Sequence, residues 1–141
     1  CLCYIFLTLS MDIDLTKVSY KDLNSKQKEN YNYHKVASAL AEYGYDSMRL
    51  NNDWEGADFI SVKGDDMIKV QLKSRFTISK KYSNKKIWIA FIENGIVYLY
   101  DHDLIVENLT DTTRKSKSWS VNKNYSQMPV PKVYIDLMIV L

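Results

Sequence analysis

The spacing of apolar residues along this chain first changes at a glycine. Over residues 21–45, "KDLNSKQKENYNYHKVASALAEYGY" places apolar or aromatic side chains at Tyr33, Val36, Ala37, Leu40, Ala41 and Tyr43. That is the spacing of one helix face. Gly44 stands where a helix end takes a left-handed residue. Beyond it "DSMRL" is extended, and "ADFISV" and "MIKVQLKS" alternate about the turn signal "KGDD". "KKIWIAFI" is a near-continuous apolar run, suited to a strand buried on both faces, and "ENG" turns it into "IVYLY". One helix followed by about four to five strands implies an α/β or α+β fold with a single mixed sheet flanked by helices. "DHDLIVENL" reads as a short helix with Asp101 and Asp103 at its start, residues 110–126 as a polar loop, and "VPKVYIDLMIVL" as a closing helix or strand.

A chain of 141 residues, 46% hydrophobic, can bury one sizeable core, and residues 11–141 read as a single domain. Residues 1–10, "CLCYIFLTLS", read as a prefix outside it: they lack the basic start and small-residue cleavage site of a secretory signal, and their apolar run is too short to span a bilayer. Both cysteines, Cys1 and Cys3, lie in that prefix, so the body has neither a disulfide framework nor a thiolate zinc site. His34 and His102 lack partners at ligand spacing. With four glycines there is no glycine-rich phosphate loop, and no Ser or Cys stands in a nucleophile motif. The expected setting is cytoplasmic, with no membrane partner and no small-molecule cofactor.

The net charge of +2 excludes a polycationic nucleic-acid coat, so any electrostatic partner must be read from local charge. On a strand, alternate residues share a face. Lys69, Gln71, Lys73 and Arg75 should therefore lie opposite Ile68, Val70 and Leu72, and pairing about the turn brings Asp58 to the Gln71–Lys73 end. One carboxylate, one amide oxygen and one ammonium then converge, a set suited to a hard cation beside a phosphate. A solvated strand face explains the same alternation. Against that stands the charge order: acids crowd at Asp53, Glu55, Asp58, Asp65 and Asp66. Lys69, Lys73, Arg75, Lys80, Lys81, Lys85 and Lys86 then follow without an acid between them, interleaved with Phe76 and Tyr82. Bases among aromatics suit a nucleic-acid backbone.

The order helix, "GAD", turn, "VQLKS", strand resembles the PD-(D/E)XK nuclease superfamily, in the Q-x-K form of its Mrr-type and Holliday-junction-resolvase-like branches. The resemblance covers residues 30–100 and implies a restriction-endonuclease-like fold. It implies a metal-dependent DNA endonuclease in which Asp58, Gln71 and Lys73 are catalytic. Asp58, Gln71 and the Leu72 carbonyl would hold Mg²⁺, with Mn²⁺ as an alternative, and Arg75, Lys80, Lys81, Lys85 and Lys86 would hold DNA. The superfamily's helix acid falls at Tyr33 here; Glu29, one turn earlier, is the nearest candidate to replace it. That departure keeps a second function open, a degenerate nuclease fold that binds nucleic acid or protein. A homodimer is compatible with either.

Overall fold

The computed structural model describes residues 12–141; the prefix expected over residues 1–10 lies outside the described residues. Helix α1, Ser25–Ala41, begins at a capping box. The Asn24 side chain accepts from the Gln27 N–H at 2.9 Å, and the Gln27 side chain accepts from the Asn24 N–H at 2.9 Å. Two otherwise orphaned donors are thereby satisfied. The helix buries Tyr33, Val36 and Leu40 and ends where Gly44, at φ +84°, donates to the Ala41 carbonyl.

The strands are β1 (Asp46–Trp54), β2 (Ala57–Lys63), β3 (Asp66–Leu72), β4 (Thr77–Ser79), β5 (Ile87–Glu93), β6 (Ile96–Asp101), β7 (Asn124–Ser126) and β8 (Ile139–Val140). Among the described residues six of them form one mixed sheet in the order β1-β2-β3-β5-β6-β8, with only β3 and β5 parallel. β4 and β7 pair separately. Helices α2 (His102–Glu107), α3 (Asp111–Lys115), α4 (Lys117–Ser120) and α5 (Lys132–Ile135) complete the chain. The α+β class read from the periodicity is the class observed.

The sheet is larger than the four to five strands expected. β1 runs past its expected extended start, "DSMRL", to Trp54 as a mostly exposed edge strand, and the two-residue β8 is the strand reading of the closing segment added to the sheet. Residues 110–126 are not a loop but α3, α4 and β7. Thr110 and Ser116 cap the two helices by accepting from the Thr113 and Trp119 N–H groups, each at 3.2 Å. The chain ends in both a helix and a strand.

Two cores lie on the two faces of the sheet. Under α1, Tyr33, Val36 and Leu40 pack on Phe59, Val70, Ala90 and Leu99. On the other face Ile87, Ile89, Phe91 and Tyr100 pack under Phe76, Ile78, Ile105, Trp119 and Tyr134. β5 supplies both, which accounts for its unbroken apolar run. The second core takes no buried residue from β1, β2 or β3. That half of the face is left for a cleft.

Candidate active site

The register places Phe59 opposite Val70 and Ile60 opposite Lys69. Phe59 and Val70 point under α1, so Asp58 and Gln71, one residue away on each strand, take the other face. Lys73 continues β3 by donating its N–H to the Ala90 carbonyl at 2.9 Å. All three side chains line one cleft of about 430 Å³.

A bulge in β1 forms one wall of that cleft. Arg49 pairs with Phe59 and Trp54 with Ala57, so residues 50–53 lie opposite Asp58 alone. The excess chain must bow out of the ladder, and Leu50, Asn51, Asn52 and Asp53 all line the cleft. Gly56, at φ +89°, closes the turn. A Cβ there would stand 3.0 Å from both Ile87 and Tyr82 side chains, so the close approach admits no larger residue without movement.

Asp58 is half-buried, and its Oδ2 accepts from the Leu72 N–H at 2.8 Å. Burial raises its carboxyl above the ordinary carboxylate range. The Leu72 N–H opposes that shift, Glu29 adds to it, Lys73 opposes it and Asp53 adds to it. The Gln71 Nε2 donates to the Leu72 carbonyl at 3.3 Å, leaving Oε1 as the acceptor end of the amide. Lys73 carries its ammonium 5.3 Å from the centre of the Tyr82 ring, and Lys81 holds the same ring at 4.9 Å. Tyr82 is thus a buried plate beneath two ammonium groups.

Glu29 reaches the cleft from the first turns of α1 and is paired with Arg49 at 3.3 Å and Lys26 at 3.5 Å. Tyr33 does not reach it. Its ring packs edge-on against Phe59 at 5.2 Å with the Arg49 guanidinium 4.8 Å from its centre, as a core residue.

The basic run divides. Lys81 and Lys85 line the cleft. Lys80 turns away, over the Trp119 ring at 5.3 Å, into a neighbouring groove with Lys123. Lys69 is tied to Glu55 beside Trp54, on the expected face but not free. Arg75 and Lys86 are exposed and line neither cleft nor groove. β3 ends at Leu72, so the alternation that placed Arg75 beside Lys73 stops before reaching it. The Lys80–Tyr82 segment is a 3-10 turn, not a free loop. Ser79 N–H donates to His102 Nε2 at 3.0 Å, and Asn84 N–H donates to Asp103 Oδ1 at 2.9 Å. The wall residues of the β1 bulge carry no motif and were legible only in the register.

Among the described residues, no three His, Cys, Asp or Glu side chains cluster to hold a metal. Asp58 and Gln71 line the cleft and share an adjoining groove with Leu72, so the oxygens these residues could offer are one carboxylate, one amide oxygen and one main-chain carbonyl. These are hard oxygens, with a carboxylate that burial disfavours as an anion, and a divalent cation fits them chemically. No helix among the described residues is long and apolar enough to cross a membrane.

No protein-family model and no curated protein matches the sequence. Among solved structures, the chain is similar in fold to a bacterial homing endonuclease, I-Ssp6803I, with a TM-score of 0.51 at 9% identity. The match covers 82% of this chain and 86% of that one. A nuclease-like α+β fold is what this likeness establishes.

Proposed function

We propose that the protein is a metal-dependent DNA endonuclease of the PD-(D/E)XK type. The observation that carries this reading is the meeting of Asp58, Gln71 and Lys73 on one cleft, beside Glu29 and under Lys81 and Lys85. The fold likeness to a homing endonuclease supports it. Asp58, the Gln71 amide oxygen and the Leu72 carbonyl would hold Mg²⁺ or Mn²⁺. When bound, such an ion lowers the pKa of its water and offsets phosphate charge. Lys73 donates from its ammonium toward a non-bridging phosphate oxygen and orients the attacking water. The water oxygen forms the new P–O bond as the bond to the leaving sugar oxygen breaks; the water gives a proton to solvent and the leaving oxygen takes one up from solvent, ending as a hydroxyl. Lys81 and Lys85 face the flanking phosphates. The test is cleavage of linear, nicked, branched and single-stranded DNA with Mg²⁺, Mn²⁺ or chelator. Absence of metal-dependent cleavage on every substrate would sink the reading.

Tyr33 favours a second reading, a degenerate nuclease fold that binds DNA without cutting it. It fills the helix-acid position with a core residue. Glu29, half-exposed and on the cleft, is the group that opposes this second reading.

A further inference from the structure

Lys73 stands on a ridge between two clefts. On one side are Asp58 and Gln71; on the other is a second cleft of about 420 Å³, bordered by Tyr20, Lys28, Tyr31, Asn32 and Ser74. A third groove joins them, passing Tyr20, Lys28 and Asn32 to Asp58, Gln71 and Lys73. The Tyr20 and Tyr31 rings lie 5.2 Å apart, tilted by 58°, and are 42% and 44% exposed.

Neither ring supports the core. Tyr20 belongs to the short 3-10 turn Tyr20–Asp22, which buries nothing, and Tyr31 is on the side of α1 away from Tyr33, Val36 and Leu40. Tyr20 is nevertheless held, and Tyr31 packs against it. Tyr20 Oη donates to Asn32 Oδ1 at 3.1 Å, and the Lys28 ammonium sits 5.7 Å from the Tyr20 ring centre. Fixed, exposed aromatic faces flanked by an ammonium are what a nucleobase and its phosphate need for sequence-tolerant stacking. A continuous duplex cannot use them, because each base face is already covered by its neighbours.

We propose that Tyr20 and Tyr31, with Lys28 and Asn32, form a subsite for an unpaired nucleotide next to the cleaved phosphate. The substrate class is then DNA in which a single-stranded segment adjoins the cut, such as a flap, gap or branch. The proposal rests on the nuclease reading above, because Lys73 is shared by the two clefts.

The test measures binding in chelator, by fluorescence anisotropy, to two DNAs of common sequence: a blunt duplex and the same duplex bearing a single-stranded flap. Wild type is expected to prefer the flap. Tyr20→Ala with Tyr31→Ala should lower flap affinity by about 5- to 150-fold and bring the flap-to-duplex ratio near one. Tyr20→Phe with Tyr31→Phe should keep the preference, since stacking uses the ring. A ratio that survives the double alanine variant overturns the proposal, as does an equal loss on both DNAs. Equal wild-type affinity for both DNAs removes this proposal and leaves the nuclease reading standing. No binding to either removes both.

Discussion

The Asp58 Oδ2 accepts the Leu72 N–H at 2.8 Å, across the β2–β3 ladder. One bond thus fixes the carboxylate against the strand that also presents Gln71 and Lys73. Its partner on the other side, β1, has bowed away, so Asp58 faces open space where a paired strand would cover it. The fold isolates a carboxylate and orients it with main chain, which no side-chain substitution elsewhere can easily undo.

Asp58→Asn keeps an oxygen for the Leu72 N–H and removes the charge. Cleavage with Mg²⁺ should fall by at least about a hundredfold, while DNA affinity holds or improves. Stability should move oppositely. The native carboxyl titrates above its unfolded value of 3.8, so the charged form is carried at a cost above the native value. That cost is relieved as pH falls through the native value toward the unfolded one. Urea midpoints in chelator should therefore favour Asp58→Asn at neutral pH and converge in acid. A wild type more stable than Asp58→Asn at neutral pH would contradict the burial argument.

Lys81 and Lys85 line the cleft, and Arg75 and Lys86 do not. Each phosphate neutralised contributes about −0.9 to the slope of log K against log salt on duplex DNA. Replacing Lys81 and Lys85 by Ala should flatten that slope by about 1.8. Replacing Arg75 and Lys86 should leave it near the wild-type value. Equal slopes for the two double variants would remove the cleft as the phosphate track.

Residue periodicity made the helix, the hairpin of β2 and β3, and the β5–β6 pair legible, because each buries a regular apolar face. Asp58, Gln71 and Lys73 were legible for the same reason: Phe59 and Val70 fix which way their neighbours point. β1 was legible only at its extended start, "DSMRL", since the bulged remainder of an edge strand has no period to read, and its wall residues carry no motif. The α3, α4 and β7 segment misled because its order comes from Thr110 and Ser116 caps and from Trp119 and Tyr134 in the core. Arg75 misled because alternation was carried one step past the strand's end. Tyr20 and Tyr31 leave no periodic trace, being on the outside of the structure.

His102 is fully buried, accepts the Ser79 N–H at Nε2, and titrates below its ordinary value because burial disfavours the cation. The unfolded chain therefore binds the proton more readily than the native one. Stability is complete above the ordinary value of 6.5 and should fall as pH drops below it toward the native value. His102→Ala also orphans the Ser79 N–H, costing about 1–3 kcal/mol on that account. The check is urea unfolding across this window: the wild type should lose stability on acidification and His102→Ala should be flatter. Parallel curves would show that another group sets the pH dependence. Because Ser79 leads into the Lys80–Tyr82 turn, His102→Ala should also loosen Lys81 and weaken DNA binding.

Gln71→Glu separates the two functional readings most directly. In the native site the Gln71 Nε2 donates to the Leu72 carbonyl. A carboxylate cannot donate, so the substitution sets a new anion beside that carbonyl and beside Asp58. Without a cation these groups repel, and chelator-treated Gln71→Glu should be less stable than wild type. With a cation the same oxygens become the stronger ligand set, since a full charge replaces an amide dipole. The Mg²⁺ midpoint for thermal stabilisation should fall by on the order of tenfold, and so should the metal concentration that half-saturates cleavage. A binding module predicts otherwise: the added charge would weaken DNA affinity in the same measure with chelator or Mg²⁺. Calorimetric titration of Mg²⁺ into wild type, Asp58→Asn and Gln71→Glu is the deciding measurement. The nuclease reading requires affinity in the order Gln71→Glu, wild type, Asp58→Asn, and three superimposable isotherms would end it.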